Sequence, residues 1–254
     1  MAFILAQLSM VKAEILVELQ PVAAEEGFSL EVVKMEKPRR NFRVYIYHTH
    51  TYEAYTMTEE TQYNQTERWR TADGEYNMIR IGAELKKELE AAGVSVTHDQ
   101  TAYEPPKLSS AYARSLEGLE KAREAGYDLY IDLHRDAYSM GNGPNTMARD
   151  GQKIARALFL IGQGASFEGE EKPDWEQNFQ AAKWISDEMN GCLSGLSRGV
   201  SLKSGRYNQH GAEPCILIEA GNNENTLEEA LLLMPYVAQG ILSYFDHLEL
   251  QEAQ

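Results

Sequence analysis

The chain has 254 residues, 43% of them apolar, which suits one large domain with a sizeable core and excludes wholesale disorder. Its 39 acidic residues outweigh 24 basic ones for a net charge of −15, which argues against a nucleic-acid coat or adhesion to anionic lipid, since both need a basic face. Two cysteines, Cys192 and Cys215, exclude a disulfide-dense scaffold and a cysteine-based zinc site, leaving at most one disulfide if they meet in space.

Residues 1–40 read as an accessory segment, with weak helical periodicity over 2–19 and a strand over 28–35. The charged, proline-bearing run 36–40 then leads into a main domain over 41–250. The first eleven residues carry no charge, yet they lack the basic stretch of a signal peptide and no cleavage site follows. The expectation is a cytoplasmic chain or one whose native leader is missing from this sequence. No stretch approaches the ~18 to 20 uncharged apolar residues that span a membrane.

From residue 42 strand-like and helix-like stretches alternate. A short β-rich run covers 44–47, and 51–75 is polar and irregular. Apolar Met78, Ile81, Leu85 and Leu89 line one face of a helix over 76–92, and Gly93 stands where a helix-ending glycine belongs. A strand over 94–97, a helix over 111–125 closed by Gly126 and a strand over 129–133 follow. Residues 157–161 are apolar enough for a strand buried on both faces. A helix over 175–193, a strand over 215–218 and a closing helix over 227–248 complete the pattern. The alternation predicts an α/β fold around a mainly parallel sheet.

Ligands of such sheets bind beyond the carboxyl ends of the strands. The residues following the strands are His48-Thr49-His50, His98-Asp99, His134-Arg135-Asp136 and Glu219 with Asn222 and Asn223. Two histidines and a carboxylate hold zinc while leaving a position for water, and a second carboxylate then serves as base and acid. The sequence supplies His50 and His134 as ligands, a glutamate as the third, and Glu219 as the base. His98 reads as an exposed turn, His210 as a residue able to contact substrate and His247 as a surface residue. Gly195-Leu196-Ser197-Arg198-Gly199 matches the G-x-S-x-G nucleophile pattern, but a helix precedes it where that motif needs a strand. Cys215 begins an apolar run and reads as a core thiol. The acidic runs at 73–75 and 168–171 read as solvated loops.

The segments VYIYHTHTYEAY (44–55), YNMIRIGAELKKELEAAGVSVTHD (76–99), SAYARSLEGLEKA (110–122), LYIDLHRDA (129–137), GLSRGV (195–200), RYNQH (206–210) and ILIEAGNNENTLEEA (216–230) together resemble the stage II sporulation protein P family, in order, over about residues 42–245. That family comprises peptidoglycan hydrolases of endospore-forming bacteria and is similar in fold to zinc-dependent N-acetylmuramoyl-L-alanine amidases, which implies an amidase-like α/β fold of three layers, α/β/α. The resemblance implies cleavage of the amide between the muramic acid lactyl group and the first L-alanine of the stem peptide, and of cross-links between stem peptides. It implies Zn2+ as cofactor and His50 and His134 as ligands. Glu53 is favoured as the third ligand, with Glu75 as the alternate. The catalytic glutamate is Glu219, with Arg135 and Asp136 orienting ligands or substrate. Asn208, Gln209 and Asn223 become candidates for hydrogen bonds to the peptide-bearing glycan.

The implied partner is a lytic transglycosylase of the stage II sporulation protein D kind. The implied location is extracytoplasmic, between the forespore and mother-cell membranes. Family members usually carry a membrane anchor and a stalk, which this sequence does not display. Two further readings stand beside the amidase: a peptidoglycan-binding module that kept the fold and lost turnover, and a zinc peptidase acting on other peptides.

Overall fold

The computed structural model describes residues 41–137, 143–166 and 171–252. The accessory segment expected over 1–40 and most of the acidic run at 168–171 lie outside them.

Strand β1 (Arg43–Tyr47) opens the domain. Its alternation sends Val44 and Ile46 into one apolar cluster and Tyr45 and Tyr47 into another on the opposite face. Helix α1 (Met78–Ala91), strand β2 (Ser95–His98), helix α2 (Ala111–Arg123) and strand β3 (Leu129–Asp136) follow. A hairpin of β4 (Thr146–Arg149) and β5 (Gln152–Ala155) precedes β6 (Ala157–Gly162). Then come helix α3 (Trp175–Cys192), β7 (Ser197–Lys203), β8 (Cys215–Asn222), a short α4 (Leu227–Leu231) and the closing α5 (Met234–Glu252).

The main sheet runs β2-β1-β3-β8-β6-β7. Its neighbours pair parallel except β6 with β8, which are antiparallel. The mainly parallel α/β architecture expected from the alternation is therefore the one that forms. The larger cluster joins Ile131, Leu133, Ile216 and Ile218 of the sheet to Leu85 of α1, Ile185 of α3 and Ile241 of α5. On the other face a smaller cluster joins Tyr45, Tyr47, Tyr130 and Cys215 to Leu119 of α2. The layers are thus unequal, and the thinly covered α2 face is the one that carries the polar strand ends.

Helix α1 shows why these residues take these shapes. Met78, Ile81, Leu85 and Leu89 are fully buried, each worth about 1.5–3 kcal/mol of apolar transfer. Asn77 caps the start by accepting the Ile79 N–H at 2.9 Å. At the end Gly93 adopts φ +90°, its N–H donates to Glu90 O, and the Val94 N–H donates to Leu89 O, a Schellman closure.

Three boundaries differ from expectation. β3 runs on to Asp136 and β8 to Asn222, so His134 and Glu219 lie within strands. Both strands keep pairing past their apolar stretch, with His134 in register with Glu219. The single closing helix expected over 227–248 is two, α4 and α5. Pro235 lacks an N–H and cannot sit in a helix interior, so it falls in the first turn of a new helix. Among the described residues no helix is long and apolar enough to cross a membrane.

Candidate active site

The chain leaves β1 through a turn that folds it back on itself. Asp132 of β3, fully buried, grips the start of this turn. It accepts the Thr49 N–H at 2.9 Å and the Thr49 hydroxyl at 2.6 Å. The Thr51 hydroxyl donates to His48 O at 2.9 Å, and the Glu53 N–H donates to His50 O at 3.2 Å. Closing this turn carries Glu53 to the end of β3, where the Arg135 N–H donates to its Oε2 at 3.2 Å.

The turn after β1 contributes His50 and Glu53, β3 contributes His134 and β8 contributes Glu219. His134 Nδ1 faces Glu53 Oε2 at 3.5 Å. The His50 and His134 rings meet edge to face, centroids 5.3 Å apart. Glu219 pairs with His134 across β3 and β8, and its Oε2 is buried with no hydrogen-bond partner. The structure brings Glu53, not Glu75, against His134. Glu75 is exposed in the turn before α1, its N–H donated to Asp73 Oδ1 at 3.1 Å.

The electrostatics separate the two glutamates. Burial raises Glu53, but the Arg135 guanidinium and His134 outweigh it and hold the carboxyl at about 2. Burial also raises Glu219, His134 opposes it only in part, and the Glu53 and Asp136 charges add to the rise, to about 8. One acid is thus an ionised fixture and the other a group that trades its proton near neutrality. Burial lowers His134, but Asp132 and Glu53 carry it well above the usual imidazole range.

His50, His134 and Glu53 could hold a metal ion. Two imidazoles and a carboxylate suit zinc: the His50 and His134 rings meet edge to face, Glu53 stands against His134, and the Glu219 Oε2 beside them is buried without a hydrogen bond. As they stand, no three His, Cys, Asp or Glu groups among the described residues come together as a closed cage.

The other sequence candidates fall into different places. Arg135, expected to act in catalysis or on substrate, is 5% exposed and its guanidinium is occupied. It donates to Ala54 O at 3.1 Å, Trp69 O at 3.2 Å and Glu53 Oε1 at 3.4 Å, bracing the loop that carries Glu53. Gln209, expected to bind glycan, has no exposed surface. Its Oε1 accepts the Gly162 N–H and its Nε2 donates to Leu160 O, both at 2.8 Å, finishing the end of β6. Asn208 is buried and donates to Tyr112 O at 2.7 Å and Ser115 Oγ at 3.0 Å of α2. Asn223 is buried at the end of β8, its N–H donated to Asp136 O and its carbonyl accepting from Thr56. None of these three amides is exposed as a glycan contact.

His98 is not a free turn residue. Its Nε2 lies 2.8 Å from Nε2 of fully buried His48. His210 is buried, and His247 stacks on Trp184 with centroids 3.9 Å apart. Ser197 of the G-x-S-x-G pattern is buried within β7 and bonds Ser186 Oγ at 2.7 Å, so it presents no nucleophile. Cys192 and Cys215 do not pair in a disulfide, and burial keeps the Cys215 thiol well above its ordinary range.

Three residues escaped sequence reasoning: Asp132, Arg70 and Glu104. Asp132 sits two residues before His134, on the same face of a strand, a period-two signal that was legible. Arg70 and Glu104 lie in irregular loops with no local pattern. They form an ion pair, and Glu104 Oε1 stands 3.6 Å from His50 Nδ1.

The model of the Stage II sporulation protein P family matches residues 12–242. A stage II sporulation protein P of Bacillus subtilis (strain 168) is 28% identical over 199 residues, covering 73% of this chain and 47% of that protein. The chain therefore spans about half the length of the curated relative it matches. The CwlD amidase of Clostridioides difficile, solved in complex with the GerS lipoprotein, aligns with TM-score 0.54 at 13% identity, covering 82% of this chain and 100% of that one. The N-acetylmuramyl-L-alanine amidase Ami1 of Mycobacterium smegmatis aligns with TM-score 0.50 at 14% identity, over 82% and 99% of the two chains. At these identities the likeness is one of fold.

Proposed function

The chain belongs to the stage II sporulation protein P family, and on that premise we propose that it hydrolyses peptidoglycan, cutting the amide between the muramic acid lactyl group and the first L-alanine of the stem peptide, with cross-links between stem peptides as a second target. The observation that carries the reading is Glu219. It is a half-buried glutamate whose Oε2 is buried and unsatisfied and whose pKa is raised, in register with His134 at the strand ends.

His50, His134 and Glu53 would hold a zinc ion. When bound, that ion supplies Lewis-acid polarisation of the scissile carbonyl and an acidified water. Glu219 takes the proton of the attacking water on its buried oxygen and delivers it to the leaving alanine nitrogen. Asp132, whose Oδ1 lies 2.8 Å from His134 Nε2, holds His134 in place, and Arg135 holds Glu53. An open cleft of about 250 Å³ is lined by Tyr52, Arg70, Pro105, Pro106 and Glu104, and Glu104 in turn faces His50, so the cleft is offered as the place for the stem peptide. The place of action is extracytoplasmic, and the partner is a lytic transglycosylase of the stage II sporulation protein D kind.

The test is digestion of purified peptidoglycan with and without a chelator, with soluble products read by mass spectrometry. Stem peptides beginning at L-alanine, lost on chelation and restored by zinc, are expected. A second reading, a binding module without turnover, draws on the lack of a closed three-ligand cage among the described residues. Sacculi that retain the protein and release nothing under any condition would decide for it.

A further inference from the structure

We propose that Glu104 is the positioning residue of His50: it fixes the imidazole with its proton on Nδ1, so that Nε2 is the nitrogen offered to the metal. The inference rests on the reading of His50 as a ligand.

Glu104 lies in the loop between β2 and α2, and its side chain is 6% exposed. A carboxylate so buried needs partners. Arg70, 12% exposed, neutralises it, and the Tyr52 N–H donates to its Oε1 at 3.3 Å. That same oxygen stands 3.6 Å from His50 Nδ1, an ion-pair separation that no other carboxylate shares among the described residues. An acceptor-only group facing Nδ1 stabilises the tautomer that carries its proton there. The Tyr112 ring, edge to face with His50 at 5.5 Å, limits how far the imidazole can swing.

The second histidine repeats the device with the nitrogens exchanged. Asp132 Oδ1 lies 2.8 Å from His134 Nε2, although off the line of a straight hydrogen bond, while Nδ1 faces Glu53. Asp132 is itself held by the two Thr49 bonds, as Glu104 is held by Arg70. Each imidazole therefore has a buried, anchored carboxylate on one nitrogen, which leaves the other for a ligand. Carboxylates behind metal-bound histidines are worth about 10- to 100-fold in metal affinity.

Two measurements test this. In the first, zinc affinity is measured by competition with a chromophoric chelator for the wild type, Glu104→Gln, His50→Ala and the double variant. Glu104→Gln should bind zinc about 10- to 100-fold more weakly, and it should cost nothing further once His50 is alanine. Wild-type affinity in Glu104→Gln, or an equal loss without His50, would overturn the proposal. The second uses metal-free wild-type protein and needs no variant to fold. Nitrogen-15 NMR of the neutral ring should show His50 protonated on Nδ1, and protonation on Nε2 would overturn the proposal. If the wild type binds no zinc at all, the ligand reading falls, and the tautomer alone decides the role of Glu104.

Discussion

Glu219 sits where ionisation is opposed by burial and by the Glu53 and Asp136 charges, with His134 and Arg135 only partly compensating. Its neutral isostere separates chemistry from folding. Glu219→Gln should lower turnover on peptidoglycan about 100- to 10,000-fold, the usual weight of a general base, while the fold survives. In metal-stripped protein the folded carboxyl keeps its proton up to about pH 8, whereas the unfolded one loses it near 4.5. The folded state thus binds more protons in that window, and stability falls as pH rises through it. Thermal melts across the window should show that slope in the wild type and a flatter one in Glu219→Gln. Gln209 makes the opposite case. Gln209→Ala would strip the Gly162 N–H and the Leu160 carbonyl of buried partners, at about 1–3 kcal/mol for each group left unsatisfied. A large fall in melting temperature with KM unchanged is expected; a KM effect on an undisturbed fold would restore it as a glycan contact.

At the scale of elements, the pair His48–His98 ties the ends of β1 and β2 together behind α1. His48 Nδ1 donates to Leu133 O at 2.9 Å, so its Nε2 must accept from His98. Burial holds both rings neutral, at about 4 for His48 and about 3 for His98, where the neighbouring His48 adds to the depression. An unfolded imidazole protonates near 6.5, so stability is full above that pH and is lost as pH falls toward 4. Melts of His98→Gln should show a shallower acid slope. Gly82 is what lets α1 approach: a Cβ there would lie 2.4 Å from His98 Nε2 and 2.7 Å from His48 Nε2. Gly82→Ala should cost about 1–3 kcal/mol by overpacking. Such pairs are invisible in the sequence, because His48 and His98 are fifty residues apart and meet only through parallel pairing. The sheet itself was legible, since apolar runs and helix-ending glycines mark its strands and α1. What sequence reasoning truncated were the tips of β3 and β8, because polar residues there look like loops although their backbones keep pairing. The β4–β5 hairpin was missed despite its Asp150-Gly151 turn, with φ +53° and +80°, a dipeptide that signals such turns. Of the site, His50, His134 and Glu219 came from strand ends and Glu53 from the family resemblance, while Arg70 and Glu104 left no local trace.

The whole molecule carries a net charge of −15, and its proposed substrate bears stem-peptide carboxylates. Two like-charged partners meet more slowly when their fields reach far into solvent. The Debye length shrinks from about 30 Å at 0.01 M salt to about 8 Å at 0.15 M. Long-range repulsion therefore weakens over that range. Contacts inside the site change little, because Glu53, His134 and Arg135 are all at most 5% exposed. Activity on soluble glycan chains at low substrate, which reports kcat/KM, should accordingly rise with salt between these limits, whereas kcat at saturation stays flat. A fall of kcat/KM with salt would mean that a local basic face, not the overall charge, meets the glycan. Replacing Arg70 would not mimic the salt effect, since that guanidinium is already spent on Glu104. The chain thus combines a site whose charges are internally paired with an acidic surface that would repel the proposed substrate. On that reading, capture falls to whatever tethers the protein at the wall, and the domain itself supplies the chemistry.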